Sequence, residues 1–252
     1  MNMGDADWSL LWPALAAGLL VTLTHVPLGL QVLSRGIVFI DLAVAQIAGL
    51  GVVLADTLGY SPHGAGVQAA ALGAALAGAI ALGATERRWP EVQEAIIGVA
   101  FIVAANAAIL LLAANPRGAE HLKDLLVGQI LWVSPGDLPM VAAVSAAILA
   151  AWFGYAARGG RFAFYLVFAC AVTMSVQLVG LYLVFSTLII PALATRGFER
   201  RRLAACYVLG ALGYALGLGL SLVWDLPSGP LIVCALAVLG AIVFVARPKR
   251  AA

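Results

Sequence analysis

The sequence predicts an all-α fold: a polytopic transmembrane helical bundle of about eight spans, one of them a broken helix pair, forming a single transmembrane domain over residues 1–252. Three observations predict it. Hydrophobic residues make up 63% of the 252 positions and charged residues only 10%, far from the balance of a soluble domain. Apolar stretches of about 20 residues, each long enough to cross a bilayer, recur along almost the whole chain. Polar interruptions reach only about ten residues, so no soluble domain has room. Alternating strand-like segments are absent, which leaves helices rather than a membrane barrel.

The candidate spans, in order, are about 9–30, 36–58, 66–84, 92–113, 138–157, 162–195, 203–224 and 229–246. The first follows an acidic "MNMGDADWS" and is expected to stay as a helix rather than act as a cleaved signal. Its Pro27 and Gly29 are expected to bend it. Small residues fill most spans. Gly213 and Gly217, one turn apart in the seventh, are the kind that lets membrane helices pack closely. The short piece "LLVGQILWV", 125–133, cannot span and suits an interfacial or re-entrant helix. Cys170, Cys206 and Cys234 have no CxxC spacing and read as small hydrophobes.

Basic residues orient the bundle. With the N-terminus outside and the C-terminus in the cytoplasm, twelve fall on inner loops: Arg35, Arg87, Arg88, Arg158, Arg161, Arg196, Arg200, Arg201, Arg202, Arg247, Lys249 and Arg250. Only Arg117 and Lys123 fall outside. The run 162–195 then starts and ends at inner-face arginines, so it must return to the side it left. Two legs broken near Gly180, in a stretch that also carries Pro191, satisfy the charge rule; one helix does not. Broken helices at membrane depth line protein-enclosed cavities, or else form a kinked packing pair.

Polar residues inside the apolar spans are the candidate functional groups. Asp41 lies in the second span and Glu94 at the start of the fourth, each six residues past an inner arginine and so roughly 9 Å inside the boundary. A buried carboxylate marks an ion path, a substrate site or an internal pair, here with an arginine such as Arg35. Glu94 lies near enough to a loop to snorkel instead. Ala45 and Ala48 share the Asp41 face and leave it narrow. Gln46 joins that site only if "AQIAGLG" unwinds; otherwise it makes an interhelical hydrogen bond. His25, in the inner half of the first span, is a possible imidazole ligand for zinc or manganese or else a packing residue. His63 and His121 sit in outer loops.

No HExxH, GxSxG or glycine-rich phosphate loop occurs, so the chain is expected to be a transport subunit without its own ATPase site, and not an enzyme. Active transport would draw on a partner or on an ion gradient. The inner stretch "PALATRGFERRRLA" suits either a docking helix for a cytoplasmic partner or contact with anionic membrane lipid. No nucleic-acid partner is expected.

The chain resembles the permeases of zinc/manganese-type metal-ion ABC transporters from about residue 14 to 246. The matching stretches, in family order, are "RGIVFIDLAVAQIAGLGVVLA", "EAIIGVAF", "LLVGQILWVS", "VQLVGLYLVFSTLIIPALAT" and "DLPSGPLIVCALAVL". That resemblance implies an α-helical permease similar to the vitamin B12-type importers, in a bacterial inner membrane. It implies a homodimeric core, a cytoplasmic ABC ATPase and an extracytoplasmic metal-binding protein. No permanently bound cofactor is implied; the divalent metal ion, zinc first and manganese or iron next, is the cargo. The family's intramembrane metal-binding aspartate falls on Asp41. The segment Arg196, Gly197, Phe198, Glu199, Arg200, Arg201 and Arg202 falls at or beside the coupling helix for the ATPase. The family's histidine four residues after the aspartate is here Ala45, followed by Gln46, so the second ligand passes to Gln46, His25 or Glu94. A stand-alone carrier using Asp41 as a proton site is the rival reading.

Overall fold

Long apolar runs leave the backbone no way to satisfy its own polar groups in lipid except as helices. The computed structural model describes residues 5–61, 64–112, 130–156 and 161–246, and among them there is no strand. The described α-helices are α1 (Asp5–Arg35), α2 (Ile40–Thr57), α3 (Ala65–Arg88), α4 (Gln93–Leu112), α5 (Leu138–Ala151), α6 (Arg161–Val179), α7 (Leu181–Ala194), α8 (Arg202–Trp224) and α9 (Ser228–Ala246). Seven of them, all but α4 and α7, contain a segment long and apolar enough to cross a membrane once the π-turn Trp152–Ala156 extends α5. Helix α4, with 20 residues, has comparable length.

Two features differ from the expected spans. The first helix runs on to Arg35 without a break, through both Pro13 and Pro27. Of the short piece at 125–133, residues 125–129 lie outside the described residues, and Ile130–Trp132 is one 3-10 turn. His63, His121 and the outer basic residues Arg117 and Lys123 also lie outside them, as do Arg158, Arg247, Lys249 and Arg250.

The long run 162–195 is two helices. Helix α6 stops at Val179 and α7 starts at Leu181, with Gly180 between them at φ 85° and ψ 159°. That backbone region is essentially restricted to glycine, so no other residue would break the helix here without strain. The 14 residues of α7 rise about 21 Å, short of the roughly 30 Å hydrocarbon core. Pro191 is not a break: α7 continues through it to Ala194.

The chain divides into two compact units. One comprises residues 1–35, 127–147 and 178–252. Within it α1 packs on α7 and α8, and α9 packs on both α7 and α8. Small residues set these approaches. A methyl group on Gly29 of α1 would run into the Leu188 carbonyl of α7, and one on Gly217 of α8 into the Ile232 backbone of α9. Gly213 meets Leu236 in the same seam, as the spacing of the two glycines suggested. Lipid offers no hydrophobic gain for pairing helices, so this close dispersion contact is what holds them. A buried hydrogen bond of 3.0 Å between Thr187 Oγ1 and the Tyr214 hydroxyl joins α7 to α8.

The other unit comprises residues 36–126 and 148–177. Here α2 packs on α3 and α4. Val52 and Ala55 of α2 interdigitate with Val67 and Ala71 of α3, while Val53 meets Ala108 of α4. Buried Gln93, at the start of α4, ties three helices together. Its Nε2 donates to the Leu82 carbonyl of α3 at 2.9 Å and to the Tyr165 hydroxyl of α6 at 3.1 Å, while its Oε1 accepts from Thr85 at 3.0 Å. All of its side-chain polar atoms are thereby used, which is what makes an amide tolerable in an apolar bundle.

Candidate cation site

Asp41 is the second residue of α2, in its first turn, and it is fully buried. Neither carboxylate oxygen has a hydrogen-bond partner among the described residues. Among the described residues, no arginine is hydrogen-bonded to this side chain. The positive end of the α2 dipole favours an anion there by at most about 2 kcal/mol. Burying a charge costs several kcal/mol, so the dipole alone leaves an unanswered deficit. Ala45 and Ala48, both buried and on the same face of α2, offer no polar atom to fill it.

Glu94 lies in the first turn of α4 and reaches the same end of α2. Its Oε1 accepts the Phe39 backbone N–H at 3.2 Å, immediately before α2 begins. Glu94 is thus neither snorkelling nor solely a free ligand: one oxygen caps α2, where the orphan N–H groups of a helix need an acceptor. Its Oε2 is buried without a hydrogen-bond partner. Gln46 is half-buried, and α2 runs unbroken from Ile40 to Thr57. The local unwinding that would turn it toward Asp41 is absent, and five residues of helix leave it about 140° around the axis. Gln46 is therefore removed from the Asp41 face.

In the other unit, His25 of α1 is fully buried. Its Nδ1 lies 2.9 Å from Thr24 Oγ1 and 3.0 Å from the Val21 carbonyl, and its Nε2 has no hydrogen-bond partner. Among the described residues no three histidine, cysteine or acidic side chains converge. A transient stop for an ion is compatible with that; a closed structural metal site, which takes four ligands, is not.

The segment after α7 is a turn rather than a helix. Thr195–Gly197 turn, Glu199–Arg201 bend, and α8 begins at Arg202. No helix forms over residues 196–201, because Arg201 adopts a left-handed backbone, φ 58°, which interrupts any helical run. Two arginines fasten the turn. The Arg202 guanidinium donates to the Ala192 carbonyl at 3.0 Å, at the negative end of α7, and Arg196 lies 5.0 Å above the Phe244 ring of α9. Glu199, Arg200 and Arg201 are exposed, while Gly197 and Phe198 are half-buried.

One polar contact lay beyond the sequence reading. Pro27 has no N–H, so the Leu23 carbonyl four residues earlier has no donor inside α1. The Tyr207 hydroxyl of α8 supplies it, at 3.2 Å. Any proline inside a helix predicts such an orphan carbonyl; which side chain answers it depends on the packing.

This architecture, long apolar helices with one glycine-broken pair and a buried anion, defines an integral membrane transport protein. The chain belongs to the ABC 3 transport family, whose model matches residues 7–158 and 154–247. It is 25% identical to the "Manganese transport system membrane protein MntC" of Halalkalibacterium halodurans, covering 97% of this chain and 89% of the relative. It is 26% identical to a "Probable metal transport system membrane protein" of Chlamydia trachomatis, over 88% of this chain and 84% of the relative. The fold is shared with PsaBC from Streptococcus pneumoniae, solved in complex with Fab: the TM-score is 0.75 at 22% identity, covering 96% of this chain and 93% of that one.

Proposed function

We propose that this chain is the membrane-spanning permease of an ABC importer for a divalent transition-metal ion: zinc first, then manganese or iron by the same ligand chemistry. The observation that carries it is Asp41: a fully buried carboxylate with two unpartnered oxygens, at the head of a membrane-spanning helix. An anion so placed is costly to keep unless a cation visits it. The visiting ion loses hydration on entry, and Asp41 replaces part of it with a hard oxygen donor suited to manganese and acceptable to zinc. The relative named as a manganese transport protein supports the same cargo class.

In this reading two copies of the chain form the permease core in a bacterial inner membrane, N-terminus outside. An extracytoplasmic binding protein delivers the ion and a separate ATPase drives alternating access. The exposed Glu199, Arg200 and Arg201 meet the ATPase. Arg202 and Arg196, tied to α7 and α9, pass its movement into the helices. Exposed apolar side chains at helical spacing, Val99, Ile102 and Val103 on α4 and Val238, Ile242 and Val245 on α9, face lipid. Family membership favours this reading over a stand-alone proton-coupled carrier.

The test is co-expression with a candidate ABC ATPase and metal-binding protein, followed by radiolabelled metal uptake into proteoliposomes. The permease is expected to co-purify with the ATPase and to move manganese or zinc only when ATP is hydrolysed. A chain that purifies alone and moves metal on a proton gradient without ATP would contradict it.

A further inference from the structure

We infer that His25 Nε2 is a coordination position for a divalent transition-metal ion. The inference rests on the metal-import reading and adds to it an imidazole that the Asp41 helix lacks. Three observations carry it.

The first is the proton. Val21 O, 3.0 Å from Nδ1, can only accept a hydrogen bond. Thr24 Oγ1 uses its own hydrogen on the Val21 carbonyl at 3.0 Å or the Leu20 carbonyl at 3.3 Å, so it too meets Nδ1 as an acceptor. These partners assign the hydrogen to Nδ1, and in a neutral ring the lone pair is then on Nε2. Second, that lone pair is bare. His25 is fully buried and Nε2 has no hydrogen-bond partner among the described residues, whereas the great majority of buried polar atoms are paired. Third, the ring cannot easily turn. It is held by a backbone carbonyl at the nitrogen opposite the free one, the arrangement that orients metal-binding imidazoles. The turn that carries it is fastened in its own right, because Tyr207 closes the gap Pro27 leaves at Leu23.

An unprotonated ring nitrogen selects the ion class. Zinc, iron and nickel take imidazole, while magnesium, calcium and manganese prefer oxygen. A single imidazole binds weakly enough to let its ion leave, as a pathway requires.

The test uses the full-length chain in lipid nanodiscs, purified through a tag without histidine, with His63→Gln and His121→Gln. His25 is then the chain's only imidazole. Zinc alone is the probe, read by X-ray absorption and by equilibrium binding. The expected spectrum contains the outer-shell scattering of one imidazole. His25→Gln in the same background is expected to lose that shell and to bind zinc at least about tenfold more weakly. An oxygen-only shell around zinc, or no retained zinc, in the chain that keeps His25 would overturn the inference; the latter result would mean that water satisfies Nε2. Should His25→Gln fail to fold, the spectrum of the His25 chain still decides. Asp41→Ala separates this inference from the reading it rests on. Uptake unchanged in Asp41→Ala would sink the Asp41 pathway, whereas the imidazole signal tests His25 alone.

Discussion

Two carboxylates meet the start of α2 and are used differently. Glu94 spends one oxygen on the Phe39 N–H, whereas Asp41 has both oxygens uncommitted. A residue that caps can lose its charge and keep its shape. Glu94→Gln retains an acceptor for Phe39 and loses only the charge–dipole attraction. It is expected to lower stability by about 0.3–1 kcal/mol, with metal uptake near wild type. Thermal unfolding in detergent and a radiolabel assay check this; loss of uptake with unchanged stability would make Glu94 a ligand instead. The sequence put both acids at similar depth. It could not show the cap, because a carboxylate bonded to a backbone N–H leaves no mark on residue spacing.

At the scale of helices, proline and glycine act in opposite ways in this chain. Gly180 ends one helix and starts another through a positive φ, while Pro27 and Pro191 are carried within continuous helices. A helix keeps an interior proline when something answers the carbonyl it orphans. In α1 that is Tyr207. Removing only the hydroxyl, Tyr207→Phe, leaves the Leu23 carbonyl without its donor and is expected to cost about 0.5–1.5 kcal/mol. The midpoint of thermal unfolding should fall accordingly, and an unchanged midpoint would mean that water or lipid headgroups satisfy Leu23. The break at Gly180 was legible because the arginines at 161 and 196 demanded a return to one side. The unwinding around Gln46 was a conditional expectation with no such demand behind it, and α2 is continuous. The turn at 195–201 was not legible: arginine-rich stretches suit helices by propensity, yet the left-handed Arg201 and the tethers on Arg196 and Arg202 decide the backbone.

For the whole molecule, composition alone was decisive about class, because a chain 63% hydrophobic can bury its backbone only as membrane helices. Family membership extends along nearly all of it. What residue types could not supply was which polar atoms remain unsatisfied after folding, and those atoms are where the chemistry lies. Asp41 oxygens and His25 Nε2 stay bare, whereas Gln93 and Thr187, equally buried, are used in full or in part to join helices. The central claim is that the Asp41 charge exists to receive a cation. Its most direct measurement is ATP-driven uptake of radiolabelled manganese and zinc by the assembled transporter carrying Asp41→Ala, at matched amounts of complex in the membrane. The account predicts at least a tenfold loss of initial uptake with assembly intact, since an anionic ligand is removed. Wild-type uptake by that variant would contradict it.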